Sequence, residues 1–469
     1  MSTSGTSKHL QEAPDGGWGW LVVLSSFLSH IVVPGTLKSF GVFFPYMLQA
    51  FEEDAESTAW ISSIQAALTM FGSVVAGALS NVFGCRAVVM AGGLVAAVGL
   101  LSSMFVTSLP VMYLTAGFIT GLGFSFMYTP CITMVGRYFK KRRALANGLG
   151  LSGAGVGTFA FPPVFQLLID HYGWRGSLFV VAGVALQGCI FGALLRPIYL
   201  IEDFENRKTV TSNDEKAPSR RRCFSLCRLL DLSLFRKPYF VVFILSNMLL
   251  IFGNFIPFVH LVAHARNVGT GAQEAAFLIS VIGIGDGVSR IAYGWLSDLG
   301  LFPRLRGYTV CALGLALSVF FLPQARTYST MVACCLAVGL FAGSCASQTA
   351  VFLAEFCGVG RLASAVGIAY GIQGFAMLFG PPIAGRLYDV TGNYTASFYV
   401  AGSVVMVCVL MLTSLEVHRT RTISQLTNVL PRTHGITENT ESCDFEKDTD
   451  ERTHDTCTND DFIMHESSV

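Results

Sequence analysis

The chain has 469 residues, 52% of them hydrophobic and only 13% charged, where an average soluble domain carries about 25% charged residues. That composition excludes a soluble enzyme with a large core and fits an all-α polytopic membrane protein. The formal net charge of +1 and the lack of a basic, aromatic-interleaved surface give no electrostatic footprint for nucleic acid.

A bilayer crossing takes about 20 mostly apolar residues. Residues 1–17 form a polar N-terminal tail with no cleavable signal peptide, so the first crossing serves as its own insertion signal. An N-terminal bundle of six spans follows over 18–200: Trp18–Tyr46, Thr58–Val82, Ala87–Val106, Val111–Val135, Ala144–Ile169 and Ser177–Leu200. Residues 201–237 are polar and charged and read as a flexible connector. A second bundle over 238–417 supplies Pro238–Val262, Ala275–Leu296, Tyr308–Leu322, Thr330–Phe356, Ala363–Leu387 and Ala396–Val417, the ninth span being short. The tail over 418–469 is rich in Thr, Asp, Glu and Ser and reads as disordered.

Alternate loops differ in charge. One set holds Arg86, Arg137, Lys140, Lys141, Arg142, Arg143, Arg220–Arg222, Arg304, Arg306 and Arg361; the other has few bases. The basic set is expected to be cytoplasmic, which places both termini inside.

The halves repeat. Gly148, Pro162, Pro163, Gly173, Val181, Ala182 and Gly183 match Gly367, Pro381, Pro382, Gly392, Val400, Ala401 and Gly402, each pair 219 residues apart. Both copies start on the same side, so the pseudo-axis lies along the membrane normal. Two six-helix bundles related in this way describe the major facilitator architecture, which rocks its halves around a midplane site.

Glycines at 148, 150, 153, 155 and 157 crowd the fifth span. Residues such as Gly153 and Gly157 let helix backbones approach and slide; with no Lys-Ser or Lys-Thr following, this is packing chemistry and not a phosphate loop. Pro162-Pro163 and Pro381-Pro382 are expected to bend or break their helices where a gate flexes.

The charges carry most of the functional signal. Asp286 and Arg290 are four apart inside an apolar run, so on a helix they share a face. Each costs about 2.5–3.5 kcal/mol at such depth on insertion scales and persists where it faces protein or a water-filled path. A structural ion pair that holds two helices in register is the plainer alternative. Lys38 follows Pro34-Gly35, which should loosen its helix. It reads either as a cation attracting a carboxylate or as a lysine snorkelling to the outer interface. Together the three leave a net +1, suited to one carboxylate. His30 reads as a satisfied buried histidine before a proton relay, and His260 and His264 as external-surface residues.

Thirteen cysteines fall mostly in apolar segments and behave as small hydrophobes. Cys223 and Cys227 lie in the basic connector, a setting for palmitoylation or for plain solvated thiols. No spacing suits a metal, and neither a cofactor nor a nucleophile–base set is implied.

Two stretches carry a resemblance. Asp15-Gly16-Gly17-Trp18-Gly19-Trp20 opens the first span, and Tyr138-Phe139-Lys140-Lys141-Arg142-Arg143-Ala144-Leu145-Ala146-Asn147-Gly148 enters the fifth. With them, nearly all of Asp15–Val417 resembles the monocarboxylate transporter family. The resemblance implies a plasma-membrane carrier working by alternating access. It implies that Lys38 takes up a proton and the solute carboxylate, that Asp286 and Arg290 switch partners as the halves rock, and that Phe352 borders the substrate. Some members need a single-span immunoglobulin-type chaperone.

Leu37 stands where the lactate carriers have proline. The stretches around Met134-Val135-Gly136-Arg137 and Gln166-Leu167-Leu168-Ile169 are similar to the atypical branch around the family's twelfth member, which includes carriers of creatine-like zwitterions. Proton-linked monocarboxylate transport and pH-independent movement of creatine-like solutes both stay open. A non-transporting receptor or scaffold is the alternative of another class, and it has no use for Lys38.

Overall fold

The computed structural model describes residues 14–140, 142–198, 232–299, 303–357 and 362–433. Most of the connector, with Arg220–Arg222, Cys223 and Cys227, lies outside the described residues, as do Lys141, Arg361 and the tail beyond Thr433. Among the described residues the secondary structure is helical, with no strand.

Among the described residues eleven helices are long and apolar enough to cross a membrane. One of them is two crossings. The helix Arg143–Leu186 has 44 residues, about 66 Å at 1.5 Å per residue, twice the hydrocarbon thickness of about 30 Å. It is broken at Gly173, whose φ of 68° leaves the helical region. The fifth span therefore ends and the sixth begins at this glycine, giving twelve crossings in two bundles of six. Gly392, its partner in the repeat, also has positive φ, 72°, and separates Leu362–Thr391 from Thr395–Thr433. Both turns require a residue without a Cβ penalty.

The first span is Gly19–Ser39, followed by a 3-10 turn Phe40–Val42 and a short helix Phe44–Phe51. The second and third are Ala55–Phe83 and Cys85–Met104. The fourth starts at Leu109, passes a π-helical stretch Tyr113–Ile119 and ends with Thr120–Tyr138. In the second bundle the seventh to tenth spans are Pro238–Asn267, Ala272–Asp298, Arg304–Phe321 and Tyr328–Cys357. An even number of crossings puts both chain ends on one face, called here the termini face.

Three expectations change. The proline pairs do not break their helices: both lie inside continuous helix. A proline removes one backbone bond each, and packing on both sides holds the backbone helical. The ninth span is not short, because it begins at Arg304 with the charged residues at its mouth. The last helix continues past Val417 to Thr433; no Gly or Pro interrupts it between Gly402 and Pro431.

Residues Met1–Val417 form one compact unit and His418–Val469 another, described only as that helical continuation. The first unit has a polar lining and an apolar outside. Leu94, Val98, Phe118, Phe179, Val310 and Leu410 are exposed, as lipid-facing side chains are. Ser29, Gln65, Asn247 and Gln348 are buried.

Two helix pairs make the most extensive contacts between the halves: the fifth span packs on the eighth and the second on the eleventh. The glycines of the fifth span alternate between neighbours. A Cβ on Gly153 would run into the Phe27 carbonyl and one on Gly157 into the Ile31 carbonyl, both on the first span. A Cβ on Gly155, on the opposite face, would lie 2.8 Å from Gly287 Cα on the eighth. Only glycine permits backbones this close.

Candidate anion-binding site between the halves

Because the helix continues through Pro34 and the chain runs on helically to Phe51, Lys38 lies well inside the protein. It does not snorkel. Its Nζ donates to Asp286 Oδ2 at 2.8 Å, and it stands 4.9 Å from the centre of the Phe258 ring. Arg290 reaches back one turn: Nε donates to Asp286 Oδ1 at 3.0 Å and Nη2 to Oδ2 at 3.2 Å. The carboxylate is thus shared by a cation from its own helix and one from the other half. Gly339 and Gly343 of the tenth span make room for the helix that carries it, since a Cβ on either would strike that helix.

Accessibility separates the roles. The Asp286 side chain is 3% exposed, Lys38 19% and Arg290 20%. A lysine has three donors and an arginine five, and the contacts above use only some of them. The two cations are thus partly accessible, while the acid is not.

On the termini-face side of this trio lies a layer of rings from both halves. The His30 ring is 4.8 Å from that of Tyr128 on the fourth span, and Tyr128 is 6.3 Å from Tyr370 on the eleventh. Both tyrosines lie close enough to Arg290 to interact with its charge, and so does His30. His30 Nδ1 donates to the Ser26 carbonyl at 2.7 Å.

Phe352 is placed elsewhere. It is fully buried in the second bundle, 5.4 Å from both Phe243 and Tyr308 and 6.0 Å from Phe356. Beside it runs a network the sequence reading missed. Gln373 Nε2 donates to Asn247 Oδ1 at 2.6 Å, and Asn247 Nδ2 to the Tyr308 hydroxyl at 3.0 Å. Buried amides in apolar spans were the available signal, since such groups need partners.

His260 and His264 are buried, not on the surface. The seventh span extends to Asn267, and aromatic rings cover both: Phe44 and Tyr394 around His260, Tyr394 and Phe398 around His264. His260 Nε2 donates to the Pro381 carbonyl at 2.9 Å. The Pro163 carbonyl accepts from Gln273 Nε2 at 3.3 Å, across the halves.

The two signature stretches meet each other at the termini face. The Asp15 N–H donates to the Tyr138 carbonyl at 3.0 Å, and the Lys140 N–H donates to Asp15 Oδ1 at 2.8 Å. Asp15 and Gly17 take positive φ, 48° and 55°, while Gly16 leads into the turn. Trp20 packs edge-on against Phe139 at 5.2 Å, and Trp18 Nε1 donates to the Leu194 carbonyl at 3.1 Å. The signatures therefore fasten the mouth of the first span to the fourth-to-fifth loop; Arg143 opens the fifth span just after it. Among the described residues no group of His, Cys, Asp and Glu could hold a metal.

Twelve crossings in two related bundles, with a charge trio spanning the gap, are the features of a secondary transporter. The model of the Major Facilitator Superfamily matches residues 26–298 and 243–437. Monocarboxylate transporter 13 of Rattus norvegicus is 42% identical over 400 residues, covering 85% of this chain and 89% of that one. Monocarboxylate transporter 12 of Homo sapiens is 38% identical, over 83% and 78% of the two chains. Among solved structures, a D-xylose-proton symporter aligns with a TM-score of 0.68 at 15% identity, over 84% of this chain and 97% of that one. The chain belongs to the Major Facilitator Superfamily and, within it, to the monocarboxylate transporter family; it is a transporter and not an enzyme.

Proposed function

We propose that the protein carries small monocarboxylate-type solutes across the plasma membrane by alternating access, with both termini cytoplasmic, and that Lys38 and Arg290 receive the carboxylate. The observation that carries this reading is the sharing of Asp286 between a cation of each half. An incoming carboxylate competes with Asp286 for the same donors. As a bound carboxylate draws Lys38 toward itself the Lys38–Asp286 contact loosens, which couples occupancy to the relation between the halves. The gating role of Pro162, Pro163, Pro381 and Pro382 belongs to the same reading: each pair sits beside a bond to a neighbouring helix.

Charge favours a proton as the travelling partner. A bare monoanion entering a negative-inside cell works against about 2.3 kcal/mol per 100 mV. Moving it with one proton is electrically silent. The test is uptake of labelled pyruvate and lactate by expressing cells at two external pH values, with Arg290→Ala matched for surface expression. Acid-stimulated uptake lost in Arg290→Ala supports the reading. Uptake that ignores external pH removes the proton and leaves pH-independent movement of creatine-like carboxylates; undiminished flux in Arg290→Ala removes the site.

A further inference from the structure

His30 is fully buried, and one of its ring nitrogens has nothing to bond. Nδ1 is committed to the Ser26 carbonyl at 2.7 Å. A carbonyl only accepts, so Nδ1 carries the proton of that bond, and in the neutral ring Nε2 is left as an acceptor lone pair. Nε2 is buried and finds no partner. Leaving such an atom unsatisfied is costly, and a leucine would fill the same space without that cost. The ring is also held in place: Gly153 backs its Cβ, where an added methyl would come to 3.2 Å, and Tyr128 lies against it at 4.8 Å.

Its position gives the lone pair a use. His30 is eight residues before Lys38 on one helix, about 12 Å along the axis. Arg290 stems from one turn nearer the termini face than Asp286, and its charge is close enough to act on His30. His30, Tyr128 and Tyr370 come from the first, fourth and eleventh spans and so from both halves. They form a layer between the charge trio and the termini face. For a solute held at Lys38 and Arg290 by its carboxylate, this layer is the next polar group toward the termini face.

We propose that His30, with Tyr128 and Tyr370, forms a second subsite in which Nε2 accepts a hydrogen bond from the far end of the solute. The site then selects carboxylates that carry a distal N–H or O–H donor over plain acids of the same length. This rests on the reading of Lys38 and Arg290 as the carboxylate site.

The experiment compares uptake of butyrate, 4-hydroxybutyrate and 4-aminobutyrate by wild type, His30→Leu, His30→Gln and Arg290→Ala, each normalised to surface protein. The hydroxy acid separates the effect of a donor from that of a second charge. The expected result is a wild-type preference for the donor-bearing acids in kcat/KM. That preference falls about tenfold or more in His30→Leu, mainly through KM, the scale for losing one buried hydrogen bond. It returns in part in His30→Gln, whose amide oxygen replaces the acceptor. A wild type that takes butyrate as well as the other two overturns the proposal. So does a preference that survives in His30→Leu, or His30→Gln behaving as His30→Leu does. Arg290→Ala reports separately on the carboxylate site: retained flux of all three acids there sinks that reading, whatever His30 does.

Discussion

The two most extensive helix pairings between the halves are related by the internal repeat, yet they are built differently. Where the fifth span crosses the eighth, glycine meets glycine: Gly155 lies on Gly287, and a Cβ on Gly283 would come to 2.7 Å from Phe159 N. Where the second span crosses the eleventh, rings interlock, Trp60 with Phe379 at 6.0 Å and Phe71 with Phe375 at 4.9 Å. The same repeat aligns Asp170 with Asp389 and Gln166 with Gly385. Asp389 crosses to the other half and takes the first free N–H groups of the second span, Ala55 at 3.0 Å and Glu56 at 2.9 Å. The local N-cap, Asp54, makes no such bond with its own side chain. Asp170 stays at home, accepting from Gln166 at 2.7 Å. The size of one residue accounts for the difference: a Cβ on Gly385 would lie 2.7 Å from the backbone of Ala55, and the first half has a full glutamine there. One seam is glycine on glycine, with the Gln273–Pro163 hydrogen bond near its end; the other is latched at the face opposite the termini.

The comparison breaks most severely at the glycine seam. Gly155→Leu puts a branched side chain between two backbones, and overpacking of this kind costs about 1–3 kcal/mol or more. Uptake is expected to be lost while Gly148→Ala, at a glycine with open space around it, transports at the wild-type rate. Equal uptake by both variants would mean that the halves need not approach at Gly155.

The latch comes next. Asp389→Asn keeps one acceptor oxygen but removes the charge at the helix N-terminus and one of two bonds. Capping and dipole effects of that size are worth about 0.5–2 kcal/mol. The balance between shut and open at this face should shift toward open by up to about thirtyfold, read as faster thiol labelling of Ser57→Cys in a cysteine-free background. Gly385→Gln, which imposes the first half's residue, should shift it the same way. Unchanged labelling in both would show that the rings alone hold the seam.

Much of this was legible in the residues. The charges in an apolar run marked the trio, because the bilayer makes any unpaired charge conspicuous. Glycine spacing marked the glycine seam, and the repeat marked the paired turns at Gly173 and Gly392. The pairing of Lys38 with Asp286 was not legible in spacing, since Asp286 lies 248 residues away; the residues gave only the charge sum of the three. The latch was invisible for another reason: Asp389 reads as an ordinary polar residue at a span end. Only the fold reveals that the helix start it caps belongs to the other half. His260 and His264 misled similarly. Their helix outruns the apolar stretch that suggested a surface, and rings from three other segments close over them. The proline pairs failed as helix breaks because local propensity was outweighed by packing on all sides.

The smallest expected effect tests whether the latch depends on charge at long range or on the cap alone. Arg386 Nε and Glu56 Oε2 are 3.6 Å apart beside the Asp389 contact, with side chains 65% and 38% exposed. Exposed pairs of this kind are worth about 0–1 kcal/mol and weaken with salt. Glu56 also sits in the first turn of its helix, where a negative charge suits the dipole. Glu56→Gln should therefore raise the labelling rate of Ser57→Cys by less than about fivefold, and by less still at high ionic strength. Asp389→Asn, acting on buried backbone donors, should respond little to salt. If Glu56→Gln instead opened the face as far as Asp389→Asn did, with the same indifference to salt, the exposed pair would be the latch and the backbone cap its accessory.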